Sequence, residues 1–184
     1  MAVSTTFTAI FLKNSSHMTR NIRHATTGDI DRIMQVLAAA KQVMRKAGNT
    51  LQWVNGYPNI EAVMLDIERD GAIVVEDDGV IVAYFAMLPS PEPTYAKIYD
   101  GKWFNDTLPY HVVHRMGAVP SARGIFASAM EYCFSIDPNI RVDTHRDNKI
   151  MQHLFETHGF QYCGIIYLDN GDERLAYQLI KTTT

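Results

Sequence analysis

The sequence predicts an α/β (α+β) fold in a single domain, from three observations. β-branched runs and amphipathic helical stripes follow one another in the order β-α-α-β-β-β-α-β-α-β-β. The chain's 184 residues are 47% hydrophobic and 20% charged, enough to bury one core and too apolar for a disordered chain. Turn signals and helix caps separate the segments, with no repeat, low-complexity tract or composition break to mark a second domain.

Ile22 to Ala25 reads as a first strand, and Thr26-Thr27-Gly28-Asp29 as the cap of the helix after it. That helix carries Ile30, Ile33, Met34, Leu37 and Met44 on one stripe and stops at Gly48-Asn49. Asn59 caps a second helix, Ile60 to Arg69, with Val63, Met64 and Ile67 inward. Ala72 to Glu76 and Val80 to Leu88 form a hairpin about Asp77-Asp78-Gly79. Pro89, Pro91 and Pro93 end it and open a long loop to about Pro109, a length that in compact domains usually marks a functional or mobile segment. Tyr110 to Val119 is a strand and Gly124 to Ile136 a helix with Ile125, Phe126, Ala129, Met130 and Cys133 on one side. Ile140 to His145 is a strand. Asp147 or Asn148 then caps a helix with Ile150, Met151, Leu154 and Phe155 inward, ended by Gly159. Phe160 to Tyr167 and Glu173 to Ile180 close the chain as a hairpin. Met1 to His17 reads as a disordered extension before a domain spanning residues 18–184, since the periodicity starts only after Met18.

With 17 Lys and Arg against 20 Asp and Glu, the formal net charge is -3. No basic surplus is available to neutralise phosphates, so a nucleic-acid partner is not expected. No apolar run approaches the roughly 20 residues that span a bilayer, so no membrane partner is expected either. Two cysteines, Cys133 and Cys163, are too few for a disulfide scaffold; both read as core thiols of a reduced, cytoplasmic protein. His153 and His158 are five apart rather than the helical four, and no metal site is predicted.

Two segments carry a resemblance. The first is His114-Arg115-Met116-Gly117-Ala118-Val119-Pro120-Ser121-Ala122-Arg123-Gly124, a strand, a proline turn and a glycine opening a helix. The second runs from Asn148 to Gly159-Phe160, an Asn-initiated helix, and continues through Cys163-Gly164-Ile165-Ile166-Tyr167. In this order and spacing they resemble the GNAT superfamily of acyl-CoA N-acyltransferases, over roughly Met18 to Lys181 and with bacterial members in particular. The resemblance implies a mixed, mostly antiparallel central sheet flanked by helices, with the fourth and fifth strands splayed apart. It implies acetyl-CoA as acyl donor, its pantetheine amides pairing with Met116, Gly117, Ala118 and Val119. The pyrophosphate would lie on the turn and helix start at Arg123, Gly124, Ile125 and Phe126, with Asn148 at the mouth of the cleft. The physics agrees: free amides and the dipole at a helix N-terminus hold anions, glycine allows close approach, and Arg123 can add a charge-assisted bond. Net acidity is no obstacle, because the binding is local. Two positions depart from the family pattern: Phe126 replaces a second small residue, and Phe155 stands where a tyrosine commonly protonates the leaving thiolate.

Three further groups bear on chemistry. Asp143-Thr144-His145-Arg146-Asp147-Asn148 leaves an apolar strand, and positions 143 and 145 share a face. His145, oriented by Asp143, would take a proton from the acceptor amine; the competing reading has the acids capping turns and His145 bonded to backbone. His114, on the cofactor strand, is the second candidate base, or else a packed strand histidine. Trp53, Tyr57, Tyr95 and Trp103 fall in the segments expected to cover the acceptor, as aromatic walls of its site or as a satellite cluster under the long loop. The expectation is an enzyme moving an acetyl group from acetyl-CoA to a primary amine of a small molecule or peptide. The alternative is a non-catalytic CoA-binding or regulatory module. The closing hairpin offers sheet edges for a homodimer.

Overall fold

A computed structural model describes residues 19–181; the reading of residues 1–17 lies outside them. The strands are β1 (Arg20–His24), β2 (Ala72–Asp77), β3 (Val80–Pro89), β4 (His111–Ala118), β5 (Asn139–Thr144), β6 (Gln161–Tyr167) and β7 (Glu173–Ile180). The helices are α1 (Ile30–Lys46), α2 (Ile60–Glu68), α3 (Ile125–Ile136) and α4 (Lys149–Thr157). The expected element order holds throughout. Among the described residues, the seven strands form one sheet, β1-β2-β3-β4-β5-β7-β6, in which only β4 and β5 run parallel.

The caps fall where the residue types demand. The Asp29 carboxylate accepts from the Thr26 amide ahead of α1, the Asn59 side chain from Ala62 N, and the Asn148 side chain from Met151 N. Of the two cap candidates for α4, Asn148 is the one used. Gly124 precedes α3 with φ +66°, a left-handed backbone glycine takes without strain. Two inward assignments fail. Met64 is 42% exposed and Ile150 44% exposed, because the sheet-facing stripe of α2 runs through Val63, Asp66 and Ile67, and that of α4 centres on Phe155.

The two faces of the sheet differ. One is a continuous core in which Ile125, Phe126, Met130 and Phe155 of α3 and α4 meet Val75, Phe85, Val113 and Val142 of the sheet. The other is divided. Beneath α1 and α2 lie Ile33, Leu37, Trp53, Val63, Val74 and Tyr84. Beneath the loop between β3 and β4 lie Tyr95, Trp103, Val112, Ile166 and Ala176. That loop is pinned to β6 by reciprocal bonds between Tyr99 and Ile165, both 2.8 Å. Both cysteines are buried in these cores, and burial pushes their thiols up, Cys133 to about 12 and Cys163 to about 11.

Candidate active site

The pairing of β4 with β5 covers only His111↔Ile140, Val112↔Arg141 and Val113↔Val142. Both strands continue, β4 to Ala118 and β5 to Thr144, so they diverge and leave the β4 edge from His114 onward open on that side. On the other side β4 stays paired with β3, but with an extra residue: Tyr84 faces Gly117 while Ala86 faces His114. Arg115, inside this bulge, has φ +55°. The fork opens into a cleft of about 620 Å³. Its walls come from the α1–α2 segment, β4, the end of β5, α4 and the β6–β7 turn.

Several expected cofactor residues meet at this fork. Met116 lines the cleft, and Gly117 and Ala118 line an adjoining groove of about 170 Å³ with Ile125, Phe126 and Asn148. A Cβ on Gly117 would come within 2.9 Å of Ala40, so glycine here lets α1 lie close on β4. Phe126 turns its ring into the core against Phe155 and Phe160, which leaves the start of α3 to its backbone amides. Ser128 is the residue whose amide reaches back to Gly124 O, so the amides before it are the orphans of the helix start. Val119 N is engaged by Val82 O. Arg123 folds back on its own loop, donating to Pro120 O at 2.6 Å and Ala122 O at 3.1 Å. A second cation stands here that the sequence did not reveal. Arg20 donates to Arg123 O and Ser128 Oγ while its charge is paired with Asp77.

Two ionic groups occupy the divided face. In the first, His114 lies between two carboxylates, with Nε2 3.3 Å from Glu92 and Nδ1 3.5 Å from Asp143. Asp143 also accepts from the Tyr95 hydroxyl at 2.6 Å and lies 3.9 Å from Arg174. Burial opposes the charge on His114, but the bonds to Asp143 and Glu92 outweigh it and raise the imidazole to about 9. Burial likewise opposes the Glu92 charge, yet His114 and Thr94 bring that carboxyl down to about 2. In the second group the Asp66 carboxylate, 1% exposed, accepts from Arg115 Nε at 2.7 Å, from Arg115 Nη2, and from the Tyr84 hydroxyl at 2.6 Å. Arg115 Nη1 donates to the Tyr57 hydroxyl at 2.9 Å. Burial and the Asp66 charge drive the Tyr84 phenol far up.

The other expected site residues divide. Trp53 and Tyr57 line the cleft, Tyr57 with 40% exposure. Tyr95 and Trp103 do not: they are buried and stacked on each other, and the Arg141 guanidinium lies over the rings of Trp103 and Tyr110. The pair belongs to the buried cluster under the loop, where it gives the sheet apolar cover. Only the Tyr95 hydroxyl reaches the site, through Asp143. His145 is absent from the cleft walls; its Nδ1 accepts from Asp147 N at 3.1 Å, and burial together with Arg174 lowers its pKa. Asp66, Glu92, Arg115 and Arg174 are not among the site residues expected from the sequence. Asp66 had a visible signal, a carboxylate on the apolar stripe of a short helix; Glu92 and Arg174 had none.

No family model matches the chain, and no curated protein matches it. Solved structures do. An acetyltransferase of the GNAT family from Streptococcus agalactiae is 35% identical over 89% of this chain and 96% of its own, with a TM-score of 0.81. A GNAT-family acetyltransferase from Listeria monocytogenes is 17% identical over 88% and 95%, with a TM-score of 0.67. The ribosomal-protein-alanine N-acetyltransferase of Brucella melitensis is 21% identical over 88% and 99%, with a TM-score of 0.55. The latter two share the fold.

Proposed function

The chain belongs to the GNAT family of acetyltransferases, and from that premise we propose that it transfers an acetyl group from acetyl-CoA to a primary amine of a small molecule or peptide. The observation that carries this reading is the fork: a strand edge left unpaired from His114 onward, facing a cleft and followed within one turn by the start of α3. Open backbone groups of Met116 to Ala118 suit the amides of a pantetheine arm. The α3 amides after Gly124 suit a diphosphate, with Arg20 beside them. Asn148, which caps α4 and donates to Gln52, closes the mouth of the groove.

The acceptor enters over Trp53 and Tyr57, on the side where His114 looks into the cleft. The amine nitrogen attacks the thioester carbonyl, the C–N bond forms and the C–S bond breaks. A β4 amide polarises the carbonyl oxygen. His114 takes the amine proton when it is itself unprotonated, with Asp143 holding the ring. Because Glu92 and Asp143 raise this imidazole, the base form grows only as pH rises toward 9. His145, with Nδ1 occupied by a backbone amide, serves the β5–α4 turn instead.

Thermal shift with acetyl-CoA, then release of free CoA thiol over a panel of primary amines, tests the proposal. A raised melting temperature and amine-dependent thiol release are expected; no shift at millimolar acetyl-CoA overturns it. Binding without release on any amine favours the second reading, a CoA-binding module, for which the protonated His114 and the phenyl ring of Phe155 speak.

A further inference from the structure

Among the described residues, three buried side-chain polar atoms have no hydrogen-bond partner: Asn49 Oδ1, Arg141 Nε and Thr144 Oγ1. Of these three residues only Thr144 lines the cleft. It is 1% exposed and is the last residue of β5, paired with Leu175 of β7 on its far side and with nothing on the β4 side. Two residues past the last rung, Val113↔Val142, it stands at the level of the β4 bulge, where acyl group and acceptor must meet. Alternation along the strand turns it the same way as Val142, toward α4.

That wall is otherwise apolar or committed. Val142, Met151 and Phe155 present no donor. Asn148 spends its oxygen on Met151 N and its amide on Gln52. A buried hydroxyl without a partner is unfavourable, and a polar ligand atom arriving at it relieves that cost. Pantetheine amides are served by the open β4 edge across the fork. The atom left to face an otherwise apolar wall is the sulfur.

Resting on the acetyl-CoA reading above, we propose that the Thr144 hydroxyl donates a hydrogen bond to the thioester sulfur of the bound donor and to the thiolate as it leaves. The hydroxyl keeps its proton. The electron pair of the C–S bond goes to sulfur, which carries negative charge more readily than an oxygen or nitrogen leaving group, so it can depart as an anion held by this bond. This supplies the donor that a phenyl ring at position 155 cannot.

Two arms test it on the full chain. In the first, affinities for CoA and for desulfo-CoA, which lacks the thiol, are compared by calorimetry for the native protein and for Thr144→Val, a close match in shape. The native protein should prefer CoA by about tenfold, the upper scale of one net hydrogen bond, and Thr144→Val should lose that preference while binding desulfo-CoA unchanged. In the second, Thr144→Val should lower kcat about tenfold with KM for acetyl-CoA unchanged, Thr144→Ser should retain turnover, and Phe155→Tyr added to Thr144→Val should restore part of it. Equal weakening of both ligands overturns the proposal, as does native turnover in Thr144→Val. Should the native protein bind acetyl-CoA yet release no thiol on any amine, the transfer reading fails while the first arm still decides the role of Thr144. Should it not bind CoA at all, both fall.

Discussion

His114 and Arg115 are neighbours on β4 and carry positive charge toward the same cleft, yet their surroundings differ in kind. Arg115 meets one carboxylate, Asp66, through two of its nitrogens, and the same carboxylate takes the Tyr84 hydroxyl. Its guanidinium is charged at any working pH. His114 meets two carboxylates at longer range, 3.3 and 3.5 Å, around a group that can lose its proton. The difference separates holding from reacting. The first cluster ties α2 and β3 to the β4 bulge and sets the fork; the second, one residue earlier, is the one whose charge can change during a reaction.

The largest effect should come from breaking the first cluster. Asp66→Ala leaves a part-buried guanidinium and the Tyr84 hydroxyl unpaired and should destabilise the fold by about 3–5 kcal/mol in urea unfolding. A loss below 1 kcal/mol would contradict a holding role. His114→Gln should lower kcat/KM about a hundredfold while leaving acetyl-CoA affinity within a few fold. Equal loss in both would move His114 into the holding class.

The pH dependence separates the clusters further. Because the folded His114 pKa is raised from 6.5 to about 9, its contribution to stability is full below 6.5 and fades as pH rises through 9. Glu92, lowered from 4.5 to about 2, contributes fully above 4.5 and loses its share as pH falls through 2. Stability from this cluster should therefore decline between 6.5 and 9 while kcat/KM climbs, opposite slopes measurable by denaturation and by thiol release. In His114→Gln both slopes should flatten. The smallest effect concerns the backbone at φ +55°: Arg115→Gly should be more stable than Arg115→Ala by about 1 kcal/mol, since both lose the ion pair and only alanine keeps the left-handed strain. Equal stabilities would mean the bulge relaxes once Asp66 is released.

Legibility in the sequence followed range. The caps at Asn59 and Asn148, the helix start at Gly124 and the strand about His114 are set within a few residues, and each stands where local chemistry places it. Met64 and Ile150 show the limit. A periodic stripe tells which residues can face a core, but the placement of a short helix on the sheet decides which of its edges is covered. Trp103 could be a site wall or part of a satellite cluster from its loop alone; it packs in the buried cluster over the sheet, with the guanidinium of Arg141, distant in sequence, over its ring.

Element order, the position of β4 and the glycine turn into α3 follow from the sequence by itself, since hydrophobic period, capping and backbone freedom act over single turns. Where β4 parts from β5, which carboxylate meets Arg115, that two carboxylates flank His114, and that Thr144 is left without a partner were decided only by the tertiary structure. Each depends on residues tens of positions apart being brought into a shared low-dielectric space, where pairing and desolvation, absent from the local sequence, determine charge and reach.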